Sequence, residues 1–333
     1  MSTRPATDAP AAGAVAGPGR PAAAAPRYRI GVDGGGSGTR ARLVDAQGRV
    51  LGEGHAGPSG LTQGIQQAWL HIGQAIDQAI ARAFPEAASR APRSHADGAA
   101  PAPVPPPVPA NTALGLGLAG ANSRGLRERF LQANPGYALL RLQSDADTTL
   151  LGAHGTAPGA VLAVGTGSVG LARLPDGRMR RVGGWGFPSG DDGSGGLLGL
   201  RAVNHTQRVL DGMQPAGPLA DAVLQTCGGS AEALLEWCCS AGQNRFASLA
   251  PLVFDCAAHD PAAHAFLEDA ARCIAQMAHA LEPAQTLPLV LLGSIGRRLA
   301  TRLSPTLQER LVLPRGDAMD GALLLLTLCE ESP

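Results

Sequence analysis

The stretch Gly31-Val32-Asp33-Gly34-Gly35-Gly36-Ser37-Gly38-Thr39, running on through Arg40-Ala41-Arg42-Leu43-Val44-Asp45-Ala46-Gln47-Gly48-Arg49, decides the fold, because its pattern returns. The second copy is Val161-Leu162-Ala163-Val164-Gly165-Thr166-Gly167-Ser168-Val169-Gly170, then Leu171-Ala172-Arg173-Leu174-Pro175-Asp176-Gly177-Arg178. Each reads strand, Gly/Ser/Thr hairpin, strand, then an Asp/Gly/Arg turn into a third strand. Glycine admits φ > 0 and carries no Cβ, so consecutive N–H groups can converge on one anion. Hydroxyls at Ser37, Thr39, Thr166 and Ser168 add donors. Two such turns facing each other would grip a polyphosphate from both sides.

Working outward, Tyr28–Asp33, Arg40–Asp45 and Arg49–Ala56 form a three-strand meander. A helix over 63–84 carries apolar residues at Ile65, Trp69, Ile72, Ile76 and Ile80. Residues 85–110 are a Pro/Ala-rich insertion, too dense in proline for helix or central strand. A strand at 112–118, a helix at 124–132, a strand at 137–143 and a helix at 148–154 complete a first lobe spanning 27–154. The second meander opens a lobe spanning 155–333, followed by helices near 196–210, 219–226, 231–240 and 262–282. A strand at 287–292 and a helix at 317–328 close it. Two meander-plus-helix halves predict a duplicated α/β fold with a cleft between the lobes. Residues 1–26, rich in Ala, Pro and Gly, read as a disordered tail without the apolar core of a signal peptide.

A chain of 333 residues has room for two separate cores. Lys+Arg equals Asp+Glu at 27 each, so there is no basic field and nucleic acid is not an expected partner. Every basic residue of that total is arginine. A Walker-type P-loop, which requires a lysine, is excluded. Cys227, Cys238, Cys239, Cys256, Cys273 and Cys329 show no CxxC or Cys/His ligand spacing and read as buried free thiols of a reducing, cytoplasmic compartment. No apolar run approaches the ~20 residues of a membrane span. The histidines are scattered without ligand spacing.

These residues resemble the sugar kinase, heat-shock chaperone and actin superfamily, and within it the BadF-type ATPases that include glucosamine and N-acetylglucosamine kinases. The resemblance covers residues 28–328 apart from 85–110. It rests on Asp33-Gly34-Gly35-Gly36-Ser37, Gly57-Pro58-Ser59, Gly117-Leu118-Ala119-Gly120-Ala121-Asn122, Ser144-Asp145-Ala146, Gly165-Thr166-Gly167-Ser168, Gly183-Gly184-Trp185-Gly186, Gly190-Asp191-Asp192-Gly193-Ser194-Gly195 and Gly293-Ser294. It implies a duplicated ribonuclease H-like (actin-like ATPase) fold, ATP and Mg²⁺.

Gly34, Gly35, Gly36, Ser37 and Thr39, with Gly165, Thr166, Gly167 and Ser168, are then the phosphate-binding residues. Asp33 is the Mg²⁺ ligand, acting through water, where otherwise it is a turn-forming Asp. Asp145 matches the catalytic base that accepts the proton of the attacking sugar hydroxyl. Asp147, its neighbour, reads as a helix cap, which is also the plain alternative for Asp145. Ser59, Gly60, Ala119, Gly120 and Asn122 belong to the implied sugar site, with Gly184, Trp185, Gly186 and Asp191. For Trp185 a core position competes with that reading, and for Asp191 a place at a helix N-terminus. Gly293 and Ser294 resemble the adenosine loop. Relatives often carry Asn where this chain has Gly60, which removes an amide that contacts the substrate.

The resemblance implies an ATP-dependent kinase acting on the 6-hydroxyl of an amino sugar, glucosamine first and N-acetylglucosamine as the alternative. A different class, the ATP-hydrolysing activators of redox enzymes, bridges subunits with an iron–sulfur cluster on cysteines near the cleft. None of the six cysteines lies in the hairpins, beside Asp145 or in 183–195. A chaperone-like nucleotide-binding module leaves Asp145 and Gly184-Trp185-Gly186 without a role. The oligomeric state is left open, a homodimer being one arrangement.

Overall fold

Strand β1 (Tyr28–Gly34) is the centre from which the first sheet grows. The computed structural model describes residues 26–85, 107–137 and 139–328. Residues 1–25, most of the expected insertion (86–106) and Cys329 lie outside the described residues. The short Asp45-to-Arg49 connection makes β2 (Thr39–Asp45) and β3 (Val50–Ala56) antiparallel neighbours. Asp45 fixes that turn by accepting the N–H groups of Gln47 and Arg49. Helix α1 (Ile65–Ala83) carries the chain across to β4 (Thr112–Leu118), which pairs with β1 in parallel. Helix α2 (Arg124–Gln132) leads to β5 (Leu139–Gln143), and helix α3 (Asp145–His154) follows. The strand order is β3-β2-β1-β4-β5.

The second sheet repeats this start with β6 (Gly159–Val164), β7 (Ser168–Arg173) and β8 (Met179–Gly183), again antiparallel. Six helices intervene: α4 (Gly195–Leu210), α5 (Pro218–Thr226), α6 (Ala231–Ser240), α7 (Gln243–Ala247), α8 (Ala250–Cys256) and α9 (Pro261–Leu281). Strand β9 (Leu289–Leu292) then pairs with β6 in parallel, giving the order β8-β7-β6-β9. Helices α10 (Ser294–Leu299), α11 (Pro305–Glu309) and α12 (Ala318–Thr327) end the described chain. The duplicated ribonuclease H-like plan is thus present in both sheets, a three-strand meander extended by two parallel strands in the first and by one in the second.

The chain divides into two units, one containing residues up to Gly152 together with the segment from Gly316, the other Ala153–Arg315. The expected boundary of 155–333 placed the last helix with the second half. Instead α12 packs on β1 and β4 of the first. The cause is close approach. A Cβ on Gly31 would lie 2.3 Å from the Met319 carbonyl oxygen, and one on Gly115 would lie 2.0 Å from that of Ala322. Asp317 caps α12 through the N–H groups of Met319 and Asp320, while Arg42 from β2 holds Asp317 and Asp320. Each unit has its own core. Ile30, Leu43, Ile72, Leu114, Leu116 and Phe130 lie in the first, and Leu162, Leu198, Leu219, Ile274, Leu281 and Leu289 in the second. Each such side chain contributes about 1.5–3 kcal/mol on burial.

Several boundaries moved for physical reasons. Helix α3 starts at Asp145 rather than Thr148, because Ser144 accepts the Asp147 N–H and its carbonyl accepts that of Thr148. Strand β9 starts at Leu289 because the Glu282 carboxylate takes the Leu287 N–H. Helices α7, α8, α10 and α11 have five to seven residues each, too short for a periodic signal. The cysteines correct the expectation of burial: Cys227 is buried, Cys238, Cys256 and Cys273 are partly so, and Cys239 is exposed, all as free thiols. No helix among the described residues is long and apolar enough to cross a membrane.

Candidate active site

In the first unit, the parallel pairing sets three strand ends side by side. Asp33 on β1 is level with Gly117 on β4, and Gly117 is level with Gln143 on β5. The turn after β1, the loop after β4 and Asp145 after β5 therefore share the carboxyl edge of one sheet, where open α/β sheets bind ligands. With neighbouring strands ~4.8 Å apart, the β1 and β5 ends are about 10 Å apart.

Backbone hydrogen bonds brace these loops together. The Gly34 carbonyl accepts the Ala119 N–H at 2.9 Å, and the Gly35 carbonyl accepts those of Ser59 and Gly60, both at 3.1 Å. Leu61 donates to the Ala119 carbonyl at 2.9 Å. Within the turn, Gly35 donates to Gly38, while the N–H groups of Gly36 and Ser37 donate to nothing among the described residues. A Cβ on Gly34 would meet Ser59 Oγ at 2.1 Å, whereas nothing lies within 4 Å of one on Gly35.

The second unit repeats the device. Gly165 donates to the Gly167 carbonyl at 2.9 Å, and the Gly165 and Thr166 carbonyls accept the N–H groups of Gly195 and Gly196 at the start of α4, at 2.8 and 3.0 Å. The N–H groups of Thr166 and Gly167 have no acceptor among the described residues. None of Gly34, Gly35, Gly36, Gly38, Gly165 and Gly167 adopts the left-handed conformation anticipated for these turns. Close approach, rather than φ > 0, requires glycine at Gly34 and Gly167, whereas Gly35 and Gly165 face open space.

The four hydroxyls fall into two matched pairs. Ser37 and Thr166 sit exposed at the turn tips. Thr39 is buried and donates to the Gly57 carbonyl at 2.6 Å, beside Ser59 Oγ at 2.7 Å. This arrangement commits both Thr39 and the fully buried Ser59 to bracing the loop, not to its open surface. Ser168 is likewise buried, 4% exposed, and its Oγ has no partner in the described structure. Outward N–H groups, vacant space over Gly35 and Gly165, and this orphan hydroxyl fit phosphate oxygens.

Asp33 accepts the Arg40 guanidinium at 2.6 Å through one oxygen, and the other receives no hydrogen bond from a described residue. Burial opposes the charge on Arg40, but the Asp33 hydrogen bond and carboxylate hold its pKa above the usual value. Among the described residues no three His, Cys, Asp or Glu side chains cluster to hold a metal. One carboxylate with one open oxygen fits Mg²⁺, which keeps most of its water and takes substrate phosphates as ligands.

Asp145 is the first residue of α3, half-buried, with Oδ1 accepting the Ala146 N–H at 2.9 Å. Asp147 accepts the Ser144 hydroxyl at 2.6 Å, so the cap role falls to the Ser144–Asp147 pair. Thr148 presses Gly117, whose Cβ would lie 1.9 Å from Thr148 Oγ1. Asn122 is exposed and Gly120 has φ 87°.

In the second unit Gly183, Gly184 and Gly186 have φ of 72°, 69° and 86°, a run that residues with side chains would not follow. The loop presents Trp185 at 76% exposure, which rules out the core reading of this aromatic. Asp191 is 6% exposed, with Oδ1 accepting the Ser168 N–H at 3.3 Å and Oδ2 accepting the Gln243 amide at 2.6 Å. It lies beneath the second turn, close enough that a Cβ on Gly167 would meet its Oδ2 at 2.8 Å. Gly293, φ 85°, lets the chain pass the Val164 carbonyl, and Ser294 is exposed at the start of α10.

Sequence reasoning passed over four side chains that hold these loops. Gln243 bridges Asp191 and the Thr166 carbonyl, Gln63 donates to the Gly36 carbonyl at 3.2 Å, and Arg40 engages Asp33. His71 Nδ1 lies 2.5 Å from the Pro58 carbonyl, with Gln67 on Nε2. A helix-face signal existed only for the Gln67–His71 spacing of four.

The chain is 32% identical over 298 residues to a glucosamine kinase of Vibrio cholerae, covering 89% of this chain and 95% of that one. A crystal structure from Chromobacterium violaceum, of a protein provisionally named an N-acetylglucosamine kinase, is 43% identical. It covers 90% of this chain and 99% of its own, with a TM-score of 0.81. An N-acetylmuramic acid/N-acetylglucosamine kinase of Clostridium acetobutylicum is 26% identical over 56% of this chain and 55% of its own length. The profile of the BadF/BadG/BcrA/BcrD ATPase family matches residues 30–313, through both phosphate-type turns and the loops that brace them, and the chain belongs to that family.

Proposed function

We propose that this protein transfers the γ-phosphoryl group of ATP to the 6-hydroxyl of an amino sugar, with glucosamine preferred over N-acetylglucosamine. The observation that carries the reading is the register of the first sheet, which brings the Asp33 turn and Asp145 to one edge. The N–H groups of Gly36, Ser37, Thr166 and Gly167 bind phosphate oxygens. Mg²⁺, when bound, neutralises charge on the phosphates, and Asp33 is the carboxylate that would hold it. Asp145 accepts the proton as the sugar oxygen attacks.

Gly60 supports the sugar preference. Its φ of −60° is ordinary, and a Cβ there would find its nearest neighbours at 3.6 Å, so a side chain fits but is missing. An acetamido group needs a donor for its carbonyl, and this position offers only backbone. A coupled ADP-release assay over hexoses and hexosamines tests the reading. The expected result is a higher kcat/KM for glucosamine than for N-acetylglucosamine, with Gly60→Asn shifting the ratio toward the acetylated sugar. Turnover with neither sugar would refute the amino-sugar reading.

A further inference from the structure

Helix α4 carries a polar face that phosphoryl transfer does not use. Arg201, Asn204, His205 and Arg208 fall at i, i+3, i+4 and i+7 and so lie on one side of it. With Gln214 and, from α9, Phe266, they line an open groove of about 330 Å³ on the second unit, with Asn204, Arg208 and Gln214 exposed along it. The N–H groups of Met213 and Gln214 both donate to the Arg208 carbonyl, at 2.8 and 3.2 Å, which folds the following loop back and brings Gln214 to the rim. Phe266 is braced by the edge of His205 at 6.0 Å and by the Arg201 guanidinium, 4.5 Å from its ring centroid.

The charges in this groove are unbalanced. Arg201 pairs with Asp269 at 2.6 Å, but Asp269 is shared with Arg272, also at 2.6 Å. Arg208 makes no ion pair among the described residues, and no lining residue is acidic. Arg201 is held by stacking, so its orientation is set before a ligand arrives, and guanidinium groups match the oxygens of a phosphate. Side-chain amides at Asn204 and Gln214 both donate and accept, as ring hydroxyls require.

We propose that this groove is a second ligand site, for a phosphomonoester dianion carried on a hydroxylated ring, a hexose phosphate. The phosphate sits between Arg201 and Arg208, and Asn204 and Gln214 meet the ring hydroxyls. Arg201 and Arg208 are 6 and 13 residues along α4 from Gly195, about 9 and 20 Å at 1.5 Å per residue, so the pair lies beyond the turn that Gly195 holds. The hexose part of the ligand rests on the sugar-kinase reading, whereas the arginine pair does not.

Calorimetric titration of the full chain tests this, with a non-hydrolysable ATP analogue present to fill the phosphate turns. Glucose 6-phosphate and inorganic phosphate are the probes. Glucose 6-phosphate is expected to bind, to weaken with added salt, and to lose about tenfold or more in Arg208→Gln and in Arg201→Met, the loss of one charge-assisted partner. Arg208 is exposed, so its variant should keep kcat and the KM for ATP within twofold. Tighter binding of glucose 6-phosphate than of inorganic phosphate supports the hexose assignment, and equal affinities overturn it. Absent binding, or binding indifferent to both arginines, overturns the site. Failure of the kinase reading would appear instead as absent turnover with arginine-dependent binding intact.

Discussion

Asp145 and Asp147 lie two residues apart on the first turn of α3 with different partners, and under the proposed function the effects of their substitution should separate cleanly. Asp145→Asn keeps an amide oxygen to accept the Ala146 N–H while removing the negative charge and the proton-accepting oxygen. The stability change is that of one charge at a helix N-terminus, about 0.3–1 kcal/mol. The rate change is that of a removed general base, about 10²–10⁴-fold, equivalent to roughly 2.7–5.5 kcal/mol of barrier at 1.36 kcal/mol per tenfold. Asp147→Ala has the opposite profile. It strips the partner from the Ser144 hydroxyl and weakens the cap by about 1 kcal/mol, roughly 2–4 °C in Tm for a unit of this size, with kcat within a few-fold. Steady-state kinetics with both sugars, alongside thermal unfolding, read the two effects independently. Near-normal kcat in Asp145→Asn, or a collapse in Asp147→Ala without loss of stability, would refute the assignment of the base.

Gly167→Ala forces the Asp191 carboxylate away from a Cβ that would lie 2.8 Å from it, disturbing its bonds to Ser168 and Gln243. The expected result is an ATP KM raised by about tenfold or more, and an unchanged KM would show that this turn does not hold phosphate. Trp185→Ala should leave stability within about 0.5 kcal/mol, since the ring is exposed, while raising the sugar KM severalfold. A fall in Tm with no kinetic change would remove Trp185 from the site. Asp33→Ala should raise the Mg²⁺ concentration needed for half-maximal activity, with Arg40→Met as the control that breaks the same ion pair and keeps the carboxylate. Equal metal dependence in both variants would return Asp33 to a turn-forming role.

What the sequence determined by itself was local or repeated. The two glycine turns with their flanking strands, the helix that carries Trp69, and the place of Asp145 just past a strand end all follow from patterns within about 20 residues, where alternation, turn chemistry and capping act. The order of the motifs was enough to imply the duplicated fold. Only the tertiary structure decided what long-range contacts decide. Gln243 reaches Asp191 from 52 residues away and Arg42 reaches Asp317 from 275, separations at which no sequence period survives. The turn glycines are legible in the sequence, but the packing that requires two of them, Ser59 against Gly34 and Asp191 against Gly167, exists only in the fold. Helix α12 reads as the end of the second repeat in the sequence and belongs to the first unit in space. The reason is physical: Gly31 and Gly115 open a groove on β1 and β4 that admits its backbone, and a groove made by two distant glycines exists only once the sheet has formed.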